Sequence, residues 1–416
     1  MISDLKNIPR DWEKIKFGDI AINITDRIDN PKDSGLDNYI GLEHLDTNEI
    51  RIKRYGSPDE VKATKFLCKK GDIIFGKRRA YLRKLAVTDR DAVVSAHSMV
   101  LRANKDKVLS DFLPWFMQST QFWKTAYAIS EGSLSPTIKW KTLAIQEFWL
   151  PNQVEQKKIA KLLWGIENHI EKTEIFIQGF ETLKHALHIE LFTKGLNHSK
   201  FKSTKIGDIP EEWNSIILGN KHFFELKTGG TPSTKTAEYW TGGIPWLTSG
   251  ELHRKRITYT EKEISKEGFD NSNATVIPIN TTLIALAGQG KTRGTVAITK
   301  TELTTNQSIA AVIPQPEKYN PLFLYHYLNN QYEYLRRISG GTGRAGLSLR
   351  ILSNVEVPLP TLGEQSKISR ILENADNTLS KFNEHSSALK NLKNKLVDSL
   401  LSGKKQIKEN LKNDVY

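Results

Sequence analysis

The segment Leu150-Pro151-Asn152-Gln153-Val154-Glu155-Gln156-Lys157-Lys158-Ile159 decides the organisation of this chain, because it recurs as Leu359-Pro360-Thr361-Leu362-Gly363-Glu364-Gln365-Ser366-Lys367-Ile368. The offset is 209 residues (359 − 150). Near the start of each half, Ile8-Pro9-Arg10-Asp11-Trp12 recurs as Ile209-Pro210-Glu211-Glu212-Trp213, at an offset of 201 (209 − 8). Paired anchors of this kind indicate an internal duplication. The 416 residues therefore form two similar halves, and insertions between the anchors explain the drift in offset.

A long amphipathic helix is predicted after the repeated segment in each half. Apolar residues recur there at alternating spacings of 4 and 3, which is the a/d seam of a coiled coil. The first seam is Ile159, Leu163, Ile166, Ile170, Thr173, Ile177 and Phe180, and the second is Ile368, Leu372, Ala375, Leu379, Phe382, Ser386 and Leu389. Two matched seams in one chain can bury each other, so we predict an intramolecular antiparallel coiled coil, about 50 Å long at ~1.5 Å per residue. The alternative is two separate helices, each packed on its own domain.

Both predicted helices carry similar end signals. Asn152 with Glu155 and Thr361 with Glu364 have the spacing of a capping box. Glycines close both helices, since Gly195 and Gly403 lie just beyond the periodic residues.

The remainder of each half mixes short strands with short helices. The runs Asp72-Ile73-Ile74-Phe75, Leu85-Ala86-Val87 and Thr282-Leu283-Ile284-Ala285 predict strands, and short helices are expected near 110–127 and 320–336. The predicted fold is α+β, with two mixed α/β domains separated by the paired helices and related by a pseudo-twofold repeat. The predicted segments are the domains 1–150 and 209–358, the helices 151–195 and 359–403, the linker 196–208 and the C-terminal tail 404–416.

Composition narrows the class of protein. The net charge of +13 and the pI of about 9.4 favour a polyanionic partner. No uncharged apolar run approaches the ~20 residues of a membrane span, and the N-terminus lacks the pattern of a signal peptide. The single cysteine, Cys68, excludes an internal disulfide. We therefore expect a cytoplasmic protein.

Catalytic motifs fail on inspection. The run Gly290-Lys291-Thr292 ends like a phosphate-binding loop, but Ala285 occupies the position of the required first glycine. The run Asn320-Pro321-Leu322-Phe323 resembles an amino-methyltransferase motif, yet a helix N-cap followed by proline explains it better. His185 and His188 lack further metal ligands and are expected to be solvated. We find no glycine-rich turn suited to S-adenosylmethionine, no nucleophile signature and no metal site.

The combination of motifs in the second half resembles the specificity subunits of Type I restriction-modification systems. Thr231-Pro232-Ser233 precedes Tyr239-Trp240 and Gly242-Gly243-Ile244-Pro245-Trp246-Leu247, and Val357-Pro358-Leu359-Pro360 leads into Glu364-Gln365. The first half departs from this pattern, with Asp29-Asn30-Pro31 and Tyr39-Ile40-Gly41-Leu42 instead. Because of this departure, the roles of individual family residues cannot be assigned to positions in the first half, but the resemblance of the whole chain to the family is unaffected.

The resemblance implies a function for each part. The domains would be target recognition domains, each reading one half of a bipartite, asymmetric DNA sequence. The helices would set the spacing and dock two methyltransferase subunits, and restriction subunits would join through the complex. The chain itself would be non-catalytic and bind no cofactor, with S-adenosylmethionine, ATP and Mg on partner subunits.

Candidate DNA contacts lie in three pairs of equivalent loops. Phosphate contacts need cations, and base-edge contacts need forked donors. The candidates of the first half are Lys77, Arg78, Arg79, Tyr81, Arg83, Lys84, His97 and Ser133, and those of the second half are Gln289, Lys291, Arg293, Asn306, Gln307 and Arg344. The alternative is that they are ordinary exposed loops and turns. At the level of the whole chain, a self-sufficient DNA methyltransferase or nuclease and a coiled-coil scaffold that does not bind DNA remain competing interpretations.

Overall fold

The chain folds as two units, and both long helices contribute to each of them. The computed structural model describes residues 8–288, 290–339 and 346–407. Unit 1 joins the N-terminal residues through Ile175 to the C-terminal residues from Glu384, and unit 2 is Phe176–Asn383.

The globular part of unit 1 contains two four-stranded sheets and a separate strand pair. Its strands are β1 (Glu13–Lys16), β2 (Ala21–Ile24), β3 (Arg27–Ile28), β4 (Tyr39–Ile40), β5 (Lys65–Cys68), β6 (Ile73–Gly76), β7 (Leu85–Val87), β8 (Ala92–Val94), β9 (Ser98–Ala103) and β10 (Glu147–Leu150). Its short helices are α1 (Phe17–Ile20), α2 (Leu113–Gln118), α3 (Thr120–Ala128) and α4 (Trp140–Ala144), and the first long helix, α5 (Gln153–Thr193), follows. The sheets have the orders β2-β9-β6-β7 and β3-β5-β8-β4, and β1 pairs with β10.

The central strand β6 is apolar throughout because both of its faces are buried. Ile73 and Phe75 belong to the larger core of unit 1, whereas Ile74 belongs to a second, smaller core. Side chains alternate between the two faces of a strand, so one short run supplies both cores.

Unit 2 repeats this plan with a five-stranded and a three-stranded sheet. Its strands are β11 (Phe201–Thr204), β12 (Gly207–Pro210), β13 (Asn214–Ile217), β14 (Glu225–Thr228), β15 (Ile244–Leu247), β16 (Arg256–Ile257), β17 (Lys262–Ile264), β18 (Thr282–Ala285), β19 (Val296–Thr299), β20 (Thr304–Thr305), β21 (Ile309–Ile313) and β22 (Glu356–Leu359). Its helices are α6 (Lys266–Asp270), α7 (Pro321–Asn330), α8 (Tyr332–Ile338), α9 (Leu349–Ser353) and the second long helix, α10 (Leu362–Leu400). The sheet orders are β14-β21-β18-β19-β16 and β17-β15-β20, while β11 pairs with β12 and β13 with β22.

The repeated sequence anchors contact each other in both units. Antiparallel pairing of β1 with β10, and of β13 with β22, places the start of each globular domain beside its end. The Trp12 indole then donates a hydrogen bond to Glu155 at 3.3 Å, and the Trp213 indole donates one to Glu364 at 3.0 Å. In each half, therefore, the Ile-Pro-x-x-Trp segment is bonded directly to the glutamate of the Leu-Pro segment, which accounts for the recurrence of the two segments together.

This arrangement corrects one detail of the predicted capping boxes. The Asn152 side chain accepts a bond from the Glu155 amide at 3.0 Å, as predicted. The Glu155 carboxylate, however, accepts from Trp12 instead of completing a reciprocal box. Burial raises the pKa of the Glu155 carboxyl. In the second helix Glu364 likewise turns to Trp213, so each glutamate ties its helix to a domain.

The glutamine after each of these glutamates fixes the helix start. The Gln156 carbonyl oxygen accepts from the Leu109 amide at 3.0 Å, and its amide donates to the Pro151 carbonyl at 2.9 Å. Gln365 makes the same two bonds, to Asn320 at 2.7 Å and Pro360 at 2.8 Å.

The two long helices pack antiparallel in each unit, which confirms the predicted coiled coil. In unit 1, Ile159 and Leu163 share a core with Val397 and Leu400. In unit 2, the Phe176 and Phe382 rings lie 4.2 Å apart between centroids. The predicted seam is the inward face: Ile159, Leu163, Ile170, Ile368, Leu372 and Ala375 are buried, and Ile166, Ile177, Phe180, Leu379, Phe382 and Leu389 are half-buried.

Each unit also carries an ion pair across the helices, and the two pairs are related by the internal repeat. Glu167 and Lys393 in unit 1 lie 2.8 Å apart and are only 3% and 4% exposed. Asp376 and Lys184 in unit 2 occupy the positions offset by 209 residues (376 − 167 and 393 − 184) and lie 2.5 Å apart. Each helix thus supplies an acid near its start and a base near its end, which favours antiparallel pairing in one register.

Three further predictions, near the helix ends, can be compared with the structure. Gly195 and Gly403 adopt left-handed φ values of +65° and +71°, as expected for glycines that end helices. The segment predicted as a linker, 196–208, contains β11 and the start of β12, which pair as a hairpin. His188, predicted to be solvated, is instead buried, and its ring centroid lies 5.9 Å from that of His326. The prediction was wrong because the seam continues beyond Phe180 and brings this face of α5 against the domain of unit 2.

Candidate nucleic-acid interface

The basic loop of unit 1, residues 77–84, is an ordered turn between β6 and β7. Ala80 is buried and anchors a single turn of 3-10 helix, Ala80–Leu82. Arg79 and Arg83 flank this turn with left-handed φ values of +54° and +46°. Tyr81 at its centre is 58% exposed. The turn therefore presents an aromatic ring and cations on a fixed backbone.

Three loops that the sequence predicted separately come together here. A guanidinium nitrogen of Arg78 lies 3.2 Å from Nε2 of His97. The loop that carries Ser133 joins them, because the Arg79 amide donates to the Pro136 carbonyl at 2.7 Å and the Ile138 amide donates to the Lys77 carbonyl at 2.9 Å. Partial burial lowers the pKa of the His97 ring and the neighbouring Arg78 lowers it further, so the imidazole is neutral at pH 7.

Two of the candidate cations are engaged by the protein itself. The Lys84 ammonium donates to the Leu42 carbonyl at 2.5 Å. The Arg83 guanidinium donates to the Tyr127 hydroxyl at 2.7 Å and lies 5.8 Å from that ring. Both side chains hold the basic loop in place.

Three residues of this surface, Arg27, Lys65 and Phe66, were not predicted from the sequence. Arg27 and Lys77 lie over the Phe66 ring, 5.5 Å and 5.7 Å from its centroid, in cation–π geometry. Lys65 is close enough to lower the pKa of His97. Arg27 pairs with Phe66 through the β3–β5 register, a contact between residues far apart in sequence. We call the set Arg27, Lys65, Phe66, Lys77, Arg78 and His97 the unit 1 basic cluster.

Burial and neighbouring positive charges disfavour the charged form of Lys77 in the unit 1 basic cluster. Partial burial lowers the pKa of the Lys77 ammonium, and Arg27 and Arg78 lower it further. Like charges held together repel, so an anion that approaches them is bound favourably.

In unit 2 the described part of the equivalent loop, residues 290–294, is held by helix α8. The Arg336 guanidinium donates to the Gly290 carbonyl at 2.8 Å, and the Tyr332 hydroxyl donates to the Lys291 carbonyl at 2.8 Å. These bonds leave the Lys291 side chain exposed and the Arg293 side chain half-buried. The candidates Gln289 and Arg344 lie outside the described residues.

The second candidate region of unit 2, with Asn306 and Gln307, contacts the Thr-Pro-Ser motif. The Thr231 hydroxyl donates to the Gln307 side-chain oxygen at 2.5 Å, and Gln307 is exposed. Asn306 instead accepts a bond from the Ser308 amide at 3.1 Å, which is the turn-stabilising role that the sequence left open.

The glycines before Thr231 are required by close packing. A Cβ atom on Gly229 would lie 1.8 Å from the Thr305 carbonyl oxygen, and one on Gly230 would lie 2.4 Å from the Asn273 carbonyl carbon. The Trp246 indole donates to the Gly230 carbonyl at 2.9 Å. The motif is therefore a rigid platform that positions Thr231.

Comparison with known proteins agrees with this architecture. A family model described as the Type I restriction modification DNA specificity domain matches twice, at residues 9–176 and 210–391. The chain belongs to the Type I restriction-modification DNA specificity subunit family. It is a sequence-specific DNA-recognition subunit of such a system.

One relative of this specificity subunit matches across its length, and another matches less than half of it. The putative Type I restriction enzyme MjaX specificity subunit of Methanocaldococcus jannaschii is 26% identical, covering 98% of this chain and 96% of the relative. The EcoR124I/EcoR124II specificity subunit of Escherichia coli is 30% identical over 44% of each chain. The crystal structure of the S subunit from M. genitalium has the same fold, with a TM-score of 0.60 at 15% identity over 95% of this chain and 96% of that one.

One polar group in unit 2 of the specificity subunit has the composition of a metal site. His326, Glu373 and Asp376 present ligand atoms within 4.8 Å of one another. Arg256 forms ion pairs with both carboxylates, and Lys184 pairs with Asp376. Resident cations therefore already neutralise these carboxylates, and the group joins the domain to the helices within unit 2.

The single cysteine and the possibility of a membrane-spanning helix were also considered for the described residues. Burial raises the pKa of the Cys68 thiol to about 12, so the thiolate needed for nucleophilic chemistry is not formed at neutral pH. None of the helices there has the length and apolarity needed to span a bilayer.

Proposed function

We propose that each unit of this specificity subunit reads one half of a bipartite, asymmetric DNA target. In unit 1 the reading surface is the basic cluster with Arg79, Tyr81 and Ser133, and in unit 2 it is formed by residues 290–294 with Gln307. The convergence of loops 77–84, 95–98 and 131–137 on one exposed surface is the observation that carries this proposal.

The chemistry of the two surfaces suits different parts of DNA. Lys77, Arg27 and Lys291 are suited to phosphate oxygens, which fix position without reading sequence. Arg78 and Gln307 carry forked donors that can pair with guanine or adenine edges in the major groove. Because the two surfaces have different side chains, the half-sites they read differ.

The partners follow from the internal repeat. Two similar units present two similar sets of surfaces, so two copies of one methyltransferase subunit can dock equivalently on the helical pair. Restriction subunits would join through the complex. The chain would be non-catalytic, with S-adenosylmethionine, ATP and Mg bound by partners, and a cytoplasmic location stays a prediction.

A methylome of cells that carry this chain with its cognate methyltransferase tests the proposal. Exchange of residues 209–358 for the matching segment of a relative should change one half of the methylated sequence and leave the other half unchanged. A change in both halves would contradict independent reading by the units. Methylation of DNA by the purified chain alone would instead establish the self-sufficient methyltransferase.

A salt titration of DNA binding tests the unit 1 basic cluster directly. Lys77→Ala removes a phosphate contact and should lower the slope of log affinity against log salt by roughly 0.9. Lys105→Ala is the matched control, because Lys105 is exposed and lies beyond the opposite end of β9 from His97, and the six residues of that strand span about 20 Å at ~3.3 Å per residue. Equal slopes for the two variants would remove the cluster from the DNA footprint.

A further inference from the structure

Leu134 in unit 1 is the most exposed large apolar side chain in the described residues, at 93%. It lies at the tip of the loop 131–137, between Ser133 and Ser135. Isolated exposed apolar residues are common on protein surfaces, so exposure alone assigns no role. The structure around this leucine supplies the further observations.

The loop that carries Leu134 is a closed and well-anchored hairpin. The amides of Glu131 and Thr137 each donate to the carbonyl of the other residue, at 3.0 Å and 2.8 Å. The Lys139 ammonium pairs with the Glu131 carboxylate at 2.7 Å. Ile138, directly after the hairpin, is buried in the core of unit 1. Leu134 is therefore held out from the surface by an ordered backbone.

The base of this hairpin is bonded to the basic loop. The Lys77 carbonyl accepts from the Ile138 amide directly after the hairpin, the Arg79 amide donates to the Pro136 carbonyl within it, and Arg78 forms a bridge with Thr137. An apolar side chain thus projects beside the cations of the unit 1 basic cluster. Any polyanion drawn to those cations approaches Leu134 as well.

We propose that Leu134 contacts the C5-methyl group of a thymine in the half-site that unit 1 reads. A leucine side chain has no donor or acceptor for a phosphate, and the thymine methyl is the apolar group that a DNA duplex presents in its major groove. The Ser133 and Ser135 hydroxyls on either side can bond neighbouring base edges. This inference rests on the proposed function, and it adds a specificity-determining residue to it.

The test uses the chain assembled with its cognate methyltransferase and compares Leu134→Ala and Leu134→Ser with wild type by methylome sequencing. One thymine position in the unit 1 half-site should become degenerate, with preference for thymine over cytosine falling roughly five- to tenfold. Ile145→Ser is the matched control, since Ile145 belongs to unit 1 and is 65% exposed. It should leave the methylated sequence unchanged.

A second measurement does not depend on a variant that folds. When uracil replaces each thymine of the unit 1 half-site in turn, which removes only the methyl group, wild-type affinity should fall by the same factor at one position. An unchanged motif in both Leu134 variants, or the same relaxation with Ile145→Ser, would overturn the inference. If the motif stays bipartite in that case, the proposed function survives; absence of a bipartite motif in wild type would refute the proposed function instead.

Discussion

The buried ion pair between Glu167 and Lys393 provides a sharp test of helix pairing in unit 1. Lys393→Met keeps the length of the side chain but leaves the Glu167 carboxylate in the seam without its ammonium partner, which lies 2.8 Å away. Removal of one member of a buried pair costs about 3–5 kcal/mol. We expect the free energy of unfolding of unit 1 to fall by that amount.

Two further variants separate this effect from a general loss of charge. Lys184→Met removes the ammonium at the repeat-related position in unit 2, where both partners are 26% exposed. Water can solvate Asp376 there, so the expected loss is about 1 kcal/mol or less. The double variant Glu167→Met with Lys393→Met replaces the pair by apolar side chains, and it should regain most of the lost stability.

Hydrogen exchange followed by mass spectrometry at increasing denaturant measures the two units separately. Peptides over 159–170 and 389–400 report on unit 1, and peptides over 184–192 and 368–380 report on unit 2. The reasoning is refuted if Lys393→Met and Lys184→Met lose equal stability. It is also refuted if the double variant is as unstable as Lys393→Met, because the cost would then come from packing and not from an unpaired charge.

Three further predictions concern His97, the bond between Trp213 and Glu364, and Gly229. DNA phosphates should raise the lowered pKa of His97, so affinity should increase as the pH falls from about 7.5 to about 5.5, and His97→Gln should abolish this increase in a binding titration. Trp213→Phe removes the bond to Glu364 and should cost about 1.5–3 kcal/mol in chemical denaturation, with Phe223→Leu at a half-buried position as a control. Gly229→Ala should weaken DNA binding at least tenfold by displacing Thr231, and unchanged affinity would contradict the platform role.

Much of the architecture was predictable because it depends on local periodicity. The strands Ile73–Gly76 and Thr282–Ala285 appear where the apolar runs predicted them. Asn320 caps α7 through bonds to the Leu322 and Phe323 amides, as its position before proline indicated. These strands and this helix cap depend on residues that are adjacent in the sequence, so distant parts of the chain do not alter them.

The site was only partly predictable because its residues come from distant segments. Arg78, His97 and Ser133 were identified one by one from the chemistry of their loops. Arg27 gave no such indication, since it lies in a two-residue strand and reaches Phe66 only through strand pairing. Lys84 is a lysine of the same basic loop as Lys77, and the sequence does not distinguish the two. In the structure, however, the Lys84 ammonium donates to a backbone carbonyl.

By itself the sequence determined the duplication, the two long helices and their apolar seam, because each is a spacing that repeats along the chain. Tertiary structure decided which polar groups serve the fold and which face solvent. Glu155 turns to Trp12, Lys393 enters the seam to meet Glu167, and His188 is buried beside His326. A polar side chain takes whichever partner folding brings within about 3 Å, and that partner is set by contacts among residues more than a hundred positions apart.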